Sequence, residues 1–270
     1  MSEYRCCVCM TTLVPEEKFD RFLGIAGSPW CSRRCPDCGL IQRANLPAPD
    51  DPADGLEYGE YTAGDNSANQ RSLIRIDWIR SLLPEDGLLL DVGAGSGAFV
   101  KEARNRGVAA HGIEMLPQDG SNPWIVNHDI VQSPFIFNGR KFDVINLNHV
   151  LEHVAEPLPF LRGIHASLSD SGVLIVEVPN EVRALSIRIK QALGKKTNSK
   201  TAYLDHRLFF DRKSLLHCLH AAGYQIAQCQ TPRVCYNNGW LHENFDRFQS
   251  FVGQGNVLEV LVKKLPSNRI

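Results

Sequence analysis

Two groups of residues in this sequence have types and spacing able to do chemistry. The first is a pair of two-residue-spaced cysteine motifs, Cys6-x-x-Cys9 and Cys35-Pro36-Asp37-Cys38. A spacing of this kind lets one tight turn present two thiolates to a single tetrahedral ion, so Cys6, Cys9, Cys35 and Cys38 together read as a zinc-ribbon-like site. Gly39 suits the second turn, while Cys7 and Cys31 stand close enough in sequence to replace a neighbour as ligand. Four thiolates leave no open coordination position, so the expected Zn2+ is structural.

The second group surrounds a glycine-rich turn. Leu88-Leu89-Leu90-Asp91-Val92-Gly93-Ala94-Gly95-Ser96-Gly97 runs from an apolar strand into a tight turn and then a helix. Glycines there let the chain turn sharply and let a ligand approach the main chain with no Cβ in the way. On spacing alone, Gly93, Gly95 and Ala98 also satisfy a dinucleotide-binding fingerprint, which keeps a nicotinamide or flavin cofactor open. Glu114 ends the next strand about 20 residues on, where a carboxylate can take both hydroxyls of a ribose. Asp129, after a third strand, falls at the same edge and can accept from an adenine amino group, or can be an ordinary surface acid.

With these residues in view, the chain resembles the class I S-adenosylmethionine-dependent methyltransferases over residues 56–265. Asp91-Val92-Gly93-Ala94-Gly95-Ser96-Gly97 looks like their first motif, and Phe142-Asp143-Val144-Ile145-Asn146-Leu147-Asn148-His149-Val150-Leu151-Glu152-His153 resembles a later block of a subgroup that methylates small molecules. Val178-Pro179-Asn180, His206-Arg207-Leu208-Phe209-Phe210, Ser214-Leu215-Leu216 and Ala222-Gly223-Tyr224 follow in the order of that subgroup, which sometimes carries an N-terminal zinc module. The resemblance implies an α/β, Rossmann-like seven-stranded sheet with its last strand antiparallel, and S-adenosyl-L-methionine lying across the carboxyl ends of the strands. It implies that Asp91 orients the methionine end, that Gly93, Ala94 and Gly95 line the cofactor with backbone, and that Glu114 holds the ribose. Asp129 and Ile130 would meet the adenine, Asn148 the methionine amino group, and Tyr58 and Tyr61 would close over the cofactor.

Methyl transfer from a sulfonium is an in-line displacement, so the protein supplies positioning and, where the acceptor is protonated, a base. His149, just past the fourth strand, and His206, in a block after the fifth, are the candidates. His149, Glu152 and His153 also form a His-x-x-Glu-His set able to hold a divalent ion. Related quinone-type O-methyltransferases commonly have Glu at the first of these positions, and His153 is expected to be structural.

Stepping outward from these residues, strands are expected at about 88–92, 109–114, 124–127, 142–147, 172–178, 224–229 and 257–262, with helices as crossovers. Leu73, Ile76, Ile79 and Leu83 predict a helix over Asn69 to Leu83, and the last two strands are expected to form a hairpin-like edge. The domain reading is a zinc-ribbon-like module over 1–45, a linker and helical segment over 46–87, and a cofactor-binding domain over 88–270. A region from about Pro232 to Gly255 is too long for a turn and is expected to cap the substrate.

Lys and Arg total 29 against 30 for Asp and Glu, which argues against a polynucleotide partner. No apolar run approaches a bilayer span and the first residues lack a secretory pattern, so a cytoplasmic protein with no membrane anchor is expected. The expected activity is methylation of a small molecule, with a sugar or secondary-metabolite hydroxyl and O-methylation preferred. The rivals are an NAD(P)-dependent oxidoreductase and a non-catalytic cofactor-binding protein whose zinc module docks a partner.

Overall fold

In the computed structural model, residues 4–23, 31–43, 66–115, 122–129, 139–194, 206–232 and 240–265 are described. In chain order the elements are β1 (Val14–Pro15), α1 (Glu17–Leu23), β2 (Ser32–Arg34), β3 (Ile41–Arg43), α2 (Asn66–Leu82), β4 (Leu88–Val92), α3 (Ala98–Asn105), β5 (Ala109–Glu114), β6 (Ile125–Asn127) and β7 (Phe142–Asn148). A short 3-10 helix at Leu151–His153 leads to α4 (Pro157–Ser167), β8 (Leu168–Pro179), α5 (Leu185–Ala192), β9 (Leu208–Phe209), α6 (Arg212–Ala221), β10 (Tyr224–Gln230), α7 (Trp240–Phe251) and β11 (Val257–Lys264).

Seven strands form one sheet in the order β10-β11-β8-β7-β4-β5-β6. The β4 strand pairs in parallel with both β5 and β7, and the parallel set extends to β6 on one side and β8 on the other. The last strand, β11, runs antiparallel to both β8 and β10. It therefore enters between them, and β10 and β11 form the expected antiparallel pair at the edge of the sheet, joined through α7 instead of a short turn. Strand order reverses at β4, and a parallel sheet binds its ligand in the crevice at such a switch point, beyond the carboxyl ends of the strands.

The apolar runs follow from burial on both faces. In β4, Leu90 and Val92 join one buried cluster while Leu89 joins the other, as a period of two requires. In β8, Leu174, Val176 and Val178 face the first cluster and Val173 and Ile175 the second. Helix α2 contributes Ile76 and Ile79, both fully buried, worth about 2–3 kcal/mol each.

A second, antiparallel sheet has the order β1-β2-β3-β9. The N-terminal region thus has regular structure where its sequence shows little periodicity, because a metal-type turn and strands of two or three residues leave no repeat to read. Its edge is completed by β9, where Ile41 faces Phe209 and Gln42 faces Leu208. Phe19 and Phe22 of α1 join Ile41, Val182, Ile187 and Phe209 in one apolar cluster. Cys6, Val8, Leu13 and Leu40 belong to the same buried cluster as Leu90 and Val176 of the large sheet. No described helix is long and apolar enough to cross a membrane.

Candidate functional site

Register places the sequence-predicted residues on one edge. Asp91 is level with Gly112 and Asn146, Glu114 with Asn127, and Asn148 with Glu177, all at the carboxyl ends of parallel strands. The glycine turn lies just beyond, with Gly93, Gly95 and Gly97 all at positive φ. At Gly93 a Cβ would fall 2.5 Å from Val150 Cγ2, so both φ and space require glycine. At Gly95 a Cβ would meet nothing within 4 Å, which leaves the open approach a ligand needs. The Gly95 N–H donates to Glu114 Oε2 at 2.8 Å, tying turn to acid. Ala94 is buried, and half-buried Asp129 lies two residues past β6. Tyr58, Tyr61 and Ile130 lie outside the described residues, as does the linker part of 46–87 up to residue 65.

Asp91 is buried, and burial raises its pKa to about 7, against the pull of an Asn146 hydrogen bond at 2.7 Å and the Arg75 charge. A buried carboxyl of this kind gains from an incoming ammonium group. Together with the open Gly95 and the acid at its rim, it gives a donor set that fits an amino-acid nucleoside: cation at one end, sugar hydroxyls in the middle.

Behind this edge stands Arg75, on α2 and buried. Its guanidinium donates to Asn146 Oδ1 and Asn148 Oδ1, each at 3.2 Å, and pairs with Glu177 and Glu259. Arg71, one helical turn earlier, also pairs with Glu177. Burial opposes charge on Glu177, but His149, Arg75 and Arg71 outweigh it and hold its pKa at about 2.

His149 has a positive φ of 55°, a backbone region that costs a residue with a Cβ of order 1–3 kcal/mol and persists where surroundings impose it. Its N–H donates to the Glu177 carbonyl at 3.0 Å, its Nδ1 is 3.2 Å from Glu152 Oε1, and its Nε2 is 3.3 Å from Glu177 Oε1. Burial disfavours the imidazolium, yet the two carboxylates prevail and raise the pKa to about 9. The ring is therefore charged near neutrality. His206 lies near Glu152: its Nδ1 is 3.0 Å from both oxygens of Glu181, and its ring meets that of His153 edge-on at 4.9 Å. The Arg207 N–H donates to the Glu152 carbonyl at 2.8 Å, which fixes the two segments together.

The thiol sulfurs of Cys6, Cys9, Cys35 and Cys38 lie within 4.8 Å of one another, with Cys6 to Cys38 at 3.7 Å and Cys9 to Cys35 at 3.2 Å. Sulfurs around a tetrahedral zinc, with bonds of about 2.3 Å, sit about 3.7 Å apart, so this set fits that ion. Cys7 and Cys31 stand outside the group.

Sequence reasoning passed over Arg75, Asn146, Glu177 and Glu181. One signal was present for Glu177: a charge in the middle of the apolar run Val173-Leu174-Ile175-Val176-Glu177-Val178 is costly unless paired. Arg71 and Arg75, four apart on a helix, were its complement.

A family model described as a methyltransferase domain matches residues 67–228, more than half of the chain. The ubiquinone biosynthesis O-methyltransferase of Actinobacillus pleuropneumoniae serotype 5b (strain L20) is 29% identical over 125 residues, 40% of this chain and 53% of that protein. The chain spans about half the length of the curated relatives it matches. Among solved structures, the 1,6-didemethyltoxoflavin-N1-methyltransferase of Burkholderia thailandensis, with bound 1,6-didemethyltoxoflavin and S-adenosylhomocysteine, superposes with a TM-score of 0.55 at 16% identity, over 86% of this chain and 99% of that one. A SAM-dependent methyltransferase from Archaeoglobus fulgidus gives 0.50 at 14% identity, over 73% and 94%. At these identities the structural likeness establishes the fold.

Proposed function

The chain belongs to the class I S-adenosylmethionine-dependent methyltransferases, and from that premise we propose that it methylates a small-molecule acceptor, with a sugar or secondary-metabolite hydroxyl preferred. The observation that carries the reading is the edge of the sheet at its switch point: Asp91, the open glycine turn and Glu114 in register. The preference for oxygen rests on the subgroup resemblance and on the curated relatives' being named O-methyltransferases. A neighbour of the same fold is named an N1-methyltransferase, so the fold by itself leaves the acceptor atom open.

Bound S-adenosylmethionine supplies a methyl group activated by its sulfonium and open to in-line displacement. In this reading Asp91 and Asn148 receive the methionine ammonium, Glu114 accepts from the ribose hydroxyls, and Asp129 and Ile130 border the adenine, with Tyr58 and Tyr61 over the cofactor. Arg75 holds Asn146 and Asn148 in place for this. His149 and His206 face the acceptor. Because both ring nitrogens of His149 face carboxylates, its charged ring offers the acceptor a positive field rather than a hydrogen bond, and it accepts a proton only as pH approaches 9.

The N-terminal unit is proposed to hold one structural Zn2+ on Cys6, Cys9, Cys35 and Cys38. Metal analysis of pure protein should give one tightly bound zinc that Cys35→Ser removes; protein with no zinc would end that assignment.

The activity itself is tested by titrating the protein with S-adenosylmethionine and S-adenosylhomocysteine, then screening acceptors for a mass gain of one methylene. Binding of both, lost in Asp91→Ala, supports the reading. Binding with no methylated product from any extract would favour a non-catalytic cofactor-binding protein, and NAD binding in their place would return the oxidoreductase.

A further inference from the structure

We propose that the cleft between the end of β8, the start of α6 and the end of α7 is an oxyanion subsite, which holds a phosphate or carboxylate group of the methyl acceptor. The inference rests on the methyltransferase reading above and narrows its acceptor to an acidic, hydroxylated small molecule.

Two cavities of about 360 and 290 Å³ meet there, and Arg212 and Gly253 line both. Arg183 and Lys213 add two further cations to the smaller one, against a single acid, Asp211. Topology puts the cleft on the cofactor's side of the sheet. β8 and β10 are both antiparallel to β11, hence parallel to one another, so α6, which leads into β10, starts at the edge that carries Asp91, Glu114 and Asn148. Adjacent strands lie about 4.8 Å apart, so the end of β8 stands about 10 Å from the end of β4, within reach of one small acceptor.

The charges there are available to a ligand. Arg183 Nε is 3.6 Å from Asp211 Oδ2, beyond hydrogen-bond reach, and the arginine side chain is 62% exposed. Asp211 is occupied as the cap of α6, where its Oδ1 accepts from the Ser214 N–H at 2.9 Å. Lys213 Nζ donates to the Asp37 carbonyl, a neutral partner that leaves the ammonium charge uncancelled. Arg212 is exposed on the first turn of α6. Guanidinium forks match the paired oxygens of a phosphate or carboxylate, and three cations against one acid favour an anion.

Asn180 is a second feature, independent of these charges. It lines the smaller cavity and is 2% exposed; its Nδ2 donates to the Gly255 carbonyl at 2.8 Å, while its Oδ1 has no hydrogen-bond partner. A buried acceptor of this kind is costly until a donor reaches it, and a hydroxyl on the anionic ligand is such a donor. Oxyanion and hydroxyl together define the class.

The test uses the full chain saturated with S-adenosylhomocysteine at constant ionic strength, titrated with glucose 6-phosphate, gluconate and glucose and followed by saturation-transfer NMR. At least one of the two acids should bind about tenfold or more tighter than glucose, and the tighter acid identifies the oxyanion. Arg183→Gln and Arg212→Gln, both at exposed positions, should each weaken that acid about fivefold or more with the affinity for S-adenosylhomocysteine unchanged. No binding of either acid, glucose bound as tightly as both, or equal acid binding in the wild type and the two variants overturns the proposal. A chain that fails to bind S-adenosylhomocysteine would remove the methyltransferase reading instead, and the same titration without it still decides whether the cleft takes an oxyanion.

Discussion

The Gly95 amide donates to Glu114 Oε2 across 2.8 Å, so the glycine turn and the acid proposed to meet the ribose are one unit. Replacing Glu114 by Ala removes acceptors for two hydroxyls and frees the turn. Affinity for S-adenosylhomocysteine should fall about 10- to 100-fold, as expected for about 1.5–3 kcal/mol lost with hydrogen bonds to a charged group. Calorimetric titration reads this directly, and unchanged affinity would detach Glu114 from the ribose.

Cofactor affinity should depend on pH through Asp91. Burial raises its pKa to about 7, and only the anion pairs with an ammonium group. Below pH 7 each unit should weaken binding by up to about tenfold, with a plateau above it. Asp91→Asn should bind weakly with a flat profile. The folded state also holds this proton where the unfolded chain releases it, so Asp91 takes stability away as pH rises from about 4 to 7.

His149 should act in the same direction over a higher window. Its pKa in the fold is raised to about 9 from 6.5, so its contribution to stability is fully present below 6.5 and is lost as pH rises through 9. The loss should be on the order of 2–3 kcal/mol at most, since the side chain is 24% exposed. Urea denaturation at pH 6.5 and 9.5 should show the drop in the wild type, and His149→Gln should remove it.

Arg75→Met should destabilise the fold by about 3–5 kcal/mol, because it leaves Glu177 and Glu259 buried with less compensation. Arg71 remains on Glu177, which places the effect toward the lower end. Replacing Glu259 by Gln in the same chain should recover part of the loss; a double variant no more stable than Arg75→Met would show that the pair is uncoupled.

The strands and the glycine turn were legible in the sequence because each is encoded locally. β4 is an apolar run interrupted only by Asp91, and the glycines after it are separated from the strand ending at Glu114 by a single helix. The helix predicted from Leu73, Ile76 and Ile79 appears, extended to Asn66 at its start. Polar contacts between distant elements were not legible. Glu181 meets His206, and Arg75 meets Glu177 and Glu259, only after the sheet has formed. The charge on His149 belongs to the same class. Its sequence neighbour Glu152 was in view, but the second carboxylate arrives from β8, and the pair together set the proton.

The pairing of β3 with β9 joins the first part of the chain to a segment that is synthesised much later. Contacts of such long sequence separation close slowly, because the intervening loop must be organised first. During translation the cysteine turns, with the zinc proposed for them, can form early, while the open edge of β3 waits for Leu208 and Phe209. The joint that fixes His206 therefore forms late in folding, and a nascent chain stalled before it carries an unpaired strand edge exposed to other chains.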